Sequence, residues 1–296
     1  MSRFPASVAL AAAFVCAWAS EAQAADYSVK GPESVSTSTL PRNQGGATGG
    51  NLVVPTGRGP YPLIVASHGF QANASNQLGW AQHFASYGFV VVVPSFPGGF
   101  SPNHARNGEI IRNLASLYAN PATVSPAQGK VDGSRIGLEG HSAGGLASTV
   151  AANVMKAGAL VLFDPVDNSD LGKRALSTVC SPTLSIFAPP SSCNSQGNWV
   201  PFKDTSVGPR TSFRVTGSTH CDGENSGRFL CGLFCGGGAN RTRQNHYAHY
   251  ATAQFLAWLK NDPAAQAELT ESALEARQGI EGVSLTSGAA CASTPV

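Results

Sequence analysis

Apolar runs rich in Val, Ile and Leu recur along the chain, separated by longer stretches whose apolar residues fall at helical spacing. Short continuous apolar runs, as opposed to alternation, mark strands covered on both faces, the pattern of a parallel sheet with helices on each side. Strands are predicted at 51–55, 63–67, 89–94, 135–139, 160–163, 183–187 and 213–216. Helices are predicted between them at 77–87, 108–118, 143–155 and 246–259. The fold class is therefore α/β, a doubly wound and mostly parallel sheet. The segment 222–244 breaks the rhythm with scattered glycines and two cysteines, and reads as a pinned surface loop beside the functional edge. After Pro263, residues 264–278 read as an exposed helix and 279–296 as a tail tethered through Cys291.

The first 24 residues stand apart from this pattern. Arg3 gives a positive start, 8–18 is an apolar run, and Ala22-Gln23-Ala24 offers a small-residue cleavage site, which together read as a secretory signal peptide. The apolar stretch is shorter than the ~20 residues that a bilayer requires, so an exported protein without a membrane anchor is expected. The organisation predicted is a signal peptide at 1–24, one catalytic domain at 25–262 and a C-terminal helix and tail at 263–296 packed on it. A monomer is expected.

Composition narrows the function classes. Hydrophobic residues make up 42% of the 296 and charged residues 12%, so there is ample material for one large core and no disordered character. The net charge is only +2 and no run of Lys or Arg forms a basic footprint, which argues against nucleic acid as a partner. Glycine and proline are abundant but aperiodic, which excludes repeat architectures.

Removal of the leader leaves Cys180, Cys193, Cys221, Cys231, Cys235 and Cys291. An even number in an exported chain implies disulfides. Zinc is the rival use, because Cys231 and Cys235 precede His246 and His249, but zinc ligands usually come as two close pairs; no metal and no organic cofactor is expected. Cys193 and Cys221 lie on the loops after two successive late strands, the second next to His220, and they are predicted to pair and clamp the loop that carries that histidine. Connectivity among the other four is left open.

The chemistry begins at Gly140-His141-Ser142-Ala143-Gly144, a G-x-S-x-G sequence between a predicted strand and a predicted helix. That strand–turn–helix setting is what a nucleophile elbow requires. A serine hydroxyl needs a base, and the base needs a carboxylate that holds its tautomer, in the chain order Ser, acid, His for this architecture. Of the later histidines, His220 follows the last predicted strand at the carboxyl edge of the sheet, whereas His246 and His249 fall on a helix; His220 is preferred. Asp164 ends the 160–163 strand at the same edge and is preferred as acid over Asp167 and Asp170. Oxyanion donors are expected from the backbone N–H of Ala143 and from the loop His68-Gly69-Phe70-Gln71, with Phe70 as the second donor and its ring as a wall of the acyl pocket. His68 is expected to orient that loop.

These motifs, with the stretch 61–95, Gly129-Lys130-Val131-Asp132, Arg135-Ile136-Gly137, Gly217-Ser218-Thr219-His220-Cys221 and Ala257-Trp258-Leu259-Lys260, resemble the secreted α/β-hydrolases of the bacterial cutinase and polyester-hydrolase family. The resemblance implies an α/β-hydrolase fold and a serine ester hydrolase. In that family the acid follows the strand matching 183–187, where this chain reads Ala188-Pro189-Pro190-Ser191-Ser192-Cys193 and has no carboxylate. The chlorophyllases and the plasma platelet-activating-factor acetylhydrolases carry an Asp after the preceding strand, and Asp164-Pro165-Val166-Asp167 is similar to the chlorophyllase motif, so that likeness implies Asp164. Polyester hydrolases carry an aromatic before the serine and a Trp after the next strand; His141 and Val166 stand there and are expected to contact substrate.

The expectation is a secreted serine hydrolase of carboxylic esters, small or polymeric, with no large cap domain. Without a cap the cleft should be open, favour short to medium acyl esters and show no interfacial jump. The alternative is a lipase or cutinase-like polyester depolymerase acting on insoluble material.

Overall fold

A computed structural model describes residues 25–195, 198–205, 207–225, 229–288 and 291. The leader predicted at 1–24 lies outside the described residues. In chain order the strands are β1 (Val35–Leu40), β2 (Gly50–Pro55), β3 (Tyr61–Ser67), β4 (Val90–Pro94), β5 (Val131–His141), β6 (Ala159–Phe163), β7 (Thr183–Phe187), β8 (Arg210–Val215) and β9 (Ile280–Thr286). The helices are α1 (Leu78–Ser86), α2 (His104–Ala119), α3 (Ala143–Met155), α4 (Leu171–Leu176), α5 (Val200–Asp204), α6 (Phe229–Phe234), α7 (Arg241–Leu259), α8 (Pro263–Glu268) and α9 (Glu271–Ala276).

The strands form one sheet in the order β1-β2-β4-β3-β5-β6-β7-β8-β9. The six from β4 to β8 run parallel, and β1, β2 and β9 add antiparallel edges. The continuous apolar runs have the cause inferred for them. In β4, Val91 and Val93 pack with α1 and α7 while Val90 and Val92 pack with α2 and α3. In β6, Val161 and Phe163 take the first side and Leu160 and Leu162 the second. Both faces are buried, so both sets of alternating positions must be apolar. Each such side chain contributes about 1.5–3 kcal/mol on burial.

Two edge strands escape the apolar-run pattern. β1 reads Val-Ser-Thr-Ser-Thr-Leu and is mostly solvent-facing, and β9 is also half exposed, so neither carries a run. β9 corrects the reading of 279–296 as a mere tail: it pairs with β8 from Arg210↔Thr286 to Val215↔Ile280, and a Cys180–Cys291 disulfide follows it. The helix expected at 264–278 is two short helices, α8 and α9, with Thr270 capping the second through Ala273 N–H. α7 starts at Arg241, before its first apolar residue, because the Asn240 side chain accepts from Thr242 N–H and Arg243 N–H. Between β6 and β7 stands only the six-residue α4, with no large cap. No helix among the described residues is long and apolar enough to cross a membrane.

Candidate active site

Ser142 sits between β5 and α3 with φ 54° and ψ −123°, a conformation that non-glycine residues adopt only where the surroundings force it. Two glycines permit the turn. A Cβ on Gly140 would lie 2.4 Å from Gly144 O, and one on Gly144 would lie 2.3 Å from Ser67 O and 2.5 Å from His68 O. The first turn of α3 therefore presses on the end of β3, which brings the backbone of Ala143 and the loop after His68 to one place.

The strands then deliver the partners. Asp164 follows β6, and His220 opens a tight helical turn, His220–Gly223, after β8. His220 Nε2 lies 2.9 Å from Ser142 Oγ, and His220 Nδ1 lies 2.6 Å from Asp164 Oδ2. All three side chains are buried. Asp164 Oδ1 accepts from Ala188 N–H at 3.0 Å and Oδ2 from Asn194 Nδ2 at 2.7 Å. The loop that lacks the family's carboxylate thus supplies hydrogen-bond donors to the carboxylate standing on β6. The geometry is that of a serine whose proton an imidazole can take, with the second imidazole nitrogen directed at a carboxylate.

The alternative residues are occupied elsewhere. Asp167 accepts from Gly172 N–H at 2.6 Å and Lys173 N–H at 3.2 Å, which fastens the start of α4. His249 Nε2 lies 3.1 Å from Glu268 Oε2, and its Nδ1 accepts from Tyr27 N–H at 3.2 Å. His246 lines a separate groove with Arg277 and Gly279. His68 accepts from Phe96 N–H through Nε2 at 3.0 Å and meets Gly69 O through Nδ1 at 2.8 Å, so it braces its loop.

A cavity of about 390 Å³ opens over Ser142. Phe70, Gln71, His141, Ser142 and His220 line it from the sheet, and Ser192, Cys193, Leu230, Phe234 and Cys235 from the cysteine-rich segment. Val166 is half-buried beneath, its N–H 3.4 Å from Ser142 O, and is not among the lining residues. His141 lines the cavity as well, and its side chain is otherwise buried. A larger cavity, about 520 Å³, lies at the opposite end of β7 and β8; its lining holds neither a histidine nor a carboxylate.

The disulfide expectation needs correction. Cys193 pairs with Cys235 and Cys221 pairs with Cys231; they do not pair with each other. α6 rises between the two loops, and its Cys231 and neighbouring Cys235, one helical turn apart, each take one loop cysteine. The segment 222–244 is pinned as expected, but it contains a helix whose Phe229, Leu230, Leu233 and Phe234 are exposed. The sulfurs of Cys221, Cys231 and Cys235 lie within 4.8 Å of one another, and all three are disulfide-bonded.

Two supporting residues carry no sequence signal strong enough to mark them. Asn194, fully buried, holds Asp164 while its own Oδ1 accepts from Ser191 N–H. Asp222, also fully buried, accepts from Thr219 N–H at 2.7 Å, Asn240 N–H at 2.8 Å and Arg243 Nε at 2.6 Å, and so fixes the turn that carries His220. The spacing Thr219-x-x-Asp222, a capping-box pattern, was the one available hint.

A family model described as PET hydrolase-like matches residues 19–228. Chlorophyllase-2 of Arabidopsis thaliana is 27% identical over 136 residues, which is 42% of this chain and 41% of that protein. The chain thus spans less than half the length of that curated relative. With most of the chain matched, a mostly parallel sheet and a serine at the strand–helix elbow, the protein belongs to the PET hydrolase-like family of α/β-hydrolases.

Proposed function

We propose that the protein is an exported serine esterase that cleaves carboxylic esters through an acyl-enzyme. The observation that carries the reading is the chain of contacts from Ser142 Oγ to His220 Nε2 at 2.9 Å and from His220 Nδ1 to Asp164 Oδ2 at 2.6 Å, built on a serine held at φ 54°. Ser142 Oγ attacks the ester carbonyl as its proton passes to His220 Nε2. Asp164 holds Nδ1–H and stabilises the imidazolium. The backbone N–H groups of Phe70 and Ala143 face the developing oxyanion, each worth about 10²–10³ in rate. The proton on Nε2 then goes to the leaving alkoxide, and water repeats the sequence on the acyl-enzyme, returning Ser142. Three disulfides agree with export to an oxidising compartment.

Phe70, Leu230 and Phe234 give the cleft apolar walls, and the absence of a large cap among the described residues leaves it open. Short to medium acyl esters are the favoured substrates, since each methylene in an open groove discriminates only weakly, about 1 kcal/mol. A specific observation supports a second reading, insoluble polymeric or lipid esters: Phe229 is 82% and Leu233 62% exposed on the helix that walls the cleft. Fluorophosphonate labelling followed by a p-nitrophenyl ester series from acetate to palmitate tests both. Labelling at Ser142 with best kcat/KM below about C8 is expected. A rate that jumps once the ester exceeds its solubility gives the second reading precedence, and an unlabelled Ser142 overturns both.

A further inference from the structure

His141 stands one residue before the nucleophile, and the proposed mechanism gives it no step. Its ring is enclosed. A Cβ on Gly223 would lie 2.2 Å from His141 Cδ2, and a Cβ on Gly69 would lie 3.0 Å from His141 Nδ1. Two glycines from different loops, one in the turn that carries His220 and one in the turn that offers Phe70, therefore leave room for this one imidazole. His141 Nε2 lies 2.8 Å from His220 O, and the two imidazole rings pack at 4.7 Å between centroids. Because a carbonyl only accepts, Nε2 carries a proton; Nδ1 faces Glu224 Oε1 at 3.6 Å, a contact that attracts only when one of these two facing atoms also carries a proton.

Glu224 is buried and is itself held in place. Its N–H donates to Cys221 O at 3.1 Å, its carbonyl accepts from Gln244 Nε2 at 2.5 Å, and Oε2 meets Asn76 Nδ2 at 3.5 Å. Trp80 Nε1 and Gln77 Nε2 donate to Gly223 O at 3.0 and 3.2 Å, closing the other side of the turn. His220 is thus held at two points: Asp164 holds its ring, and His141, whose other nitrogen faces Glu224, holds its backbone.

We infer that His141 is a positioning residue for the reaction proposed above: its Nε2–H bond to His220 O, backed by Glu224, sets the distance of His220 from Ser142 while the ring spaces the two loops. The inference rests on the serine-esterase reading. The physical reason is leverage, since a displacement of about 1 Å between reacting groups costs on the order of 10²-fold in rate. His141 is linked by covalent bonds to Ser142, by a hydrogen bond to His220 and by contact to Gly69. One side chain therefore couples nucleophile, base and oxyanion loop.

The test compares His141→Phe, His141→Gln and Glu224→Gln in the full chain, with phosphorylation of Ser142 by diethyl p-nitrophenyl phosphate (p-nitrophenolate leaving), ester kcat and KM, and thermal unfolding. Phenylalanine fills the space without the donor and should lower both kcat and the phosphorylation rate by about 10²-fold with KM nearly unchanged. Glutamine restores an N–H donor and should recover activity to within about tenfold, one weakened hydrogen bond. Glu224→Gln should cost about tenfold alone and add nothing in the His141→Gln background, the mark of two residues acting through one contact. A rise in KM at constant kcat would overturn the inference in favour of substrate contact, and equal losses in the Phe and Gln variants would overturn it in favour of simple packing. If His141→Phe does not fold, additive effects of Glu224→Gln and His141→Gln overturn it. Wild-type protein that fails to react with the phosphate would instead overturn the esterase reading.

Discussion

The cleft has two walls built on different principles. The sheet wall is made of strand ends and tight backbone, with Ser142, Asp164 and His220 buried and each fastened by several hydrogen bonds. The cysteine wall is made of α6 and the 191–194 loop, joined to each other by the Cys193–Cys235 bond and by Ser192 Oγ donating to Phe234 O, and to the turn that carries His220 by the Cys221–Cys231 bond. The difference teaches where precision is needed. Reacting groups must be held to fractions of an ångström, which only converging secondary structure provides. A surface that receives an apolar acyl group needs to stay in place while exposed, and covalent links do that where a hydrophobic core cannot.

If the sheet wall holds the chemistry, its variants should show the largest effects. Ser142→Ala and Asp164→Asn are expected to lower kcat by about 10⁴ or more, the latter through loss of the correct imidazole tautomer. Asp167→Asn, which loosens only α4, should leave kcat within a few-fold. Asn194→Ala removes one donor from Asp164 and should cost about 10- to 100-fold, the worth of a hydrogen bond to a charged group. Stopped-flow and steady-state turnover on one soluble ester rank the four; the reverse order for Asp164 and Asp167 would move the acid.

The cysteine wall should respond in stability and KM before kcat. The Cys193–Cys235 bond spans 42 residues and Cys221–Cys231 spans 10, worth about 4 and 3 kcal/mol in the chain-entropy model. Cys193→Ser with Cys235→Ser should lower the melting temperature and raise KM while the sheet keeps its far-ultraviolet signal. Collapse of that signal together with activity would mean that the two walls fold as one unit.

A third variant sharpens the contrast from inside the sheet wall. Glu139, three residues before Ser142, is fully buried, and no side chain hydrogen-bonds its carboxyl oxygens. Burial pushes this carboxyl well above its ordinary 4.5, with the Ser67 backbone N–H opposing only in part. The folded chain therefore holds a proton that the unfolded chain releases above about 4.5. Stability from this group is present below that value and is lost as pH rises toward the folded value, by at most about 1.4 kcal/mol per pH unit. Glu139→Gln should flatten that part of the melting profile between pH 5 and 8, and an unchanged slope would mean that water or another group satisfies Glu139. The smallest effect is expected for Phe229→Ser and Leu233→Ser, which should change stability by less than about 0.5 kcal/mol and slow only the cleavage of insoluble esters.

Much of the fold was legible because both sheet faces are buried. Val90 to Val93 must all be apolar when helices lie on each side, so the central strands announce themselves, whereas β1, rich in Ser and Thr, does not. Ser142 was legible because a strained turn demands glycines at fixed offsets, and His220 and Asp164 because they follow strands that end at one edge.

What the chain alone determined is thus whatever local physics forces into adjacent residues: the burial pattern, the elbow, and the order of serine, aspartate and histidine at the ends of successive strands. The tertiary structure alone decided what depends on distant segments meeting. Cys193 took Cys235 because α6 rises between two loops, Asn194 became a partner of Asp164 because β7 lies beside β6, and His141 turned inward because Gly69 and Gly223 leave space for its ring. Partner choice of this kind is set by three-dimensional proximity, and no spacing along a single chain encodes it.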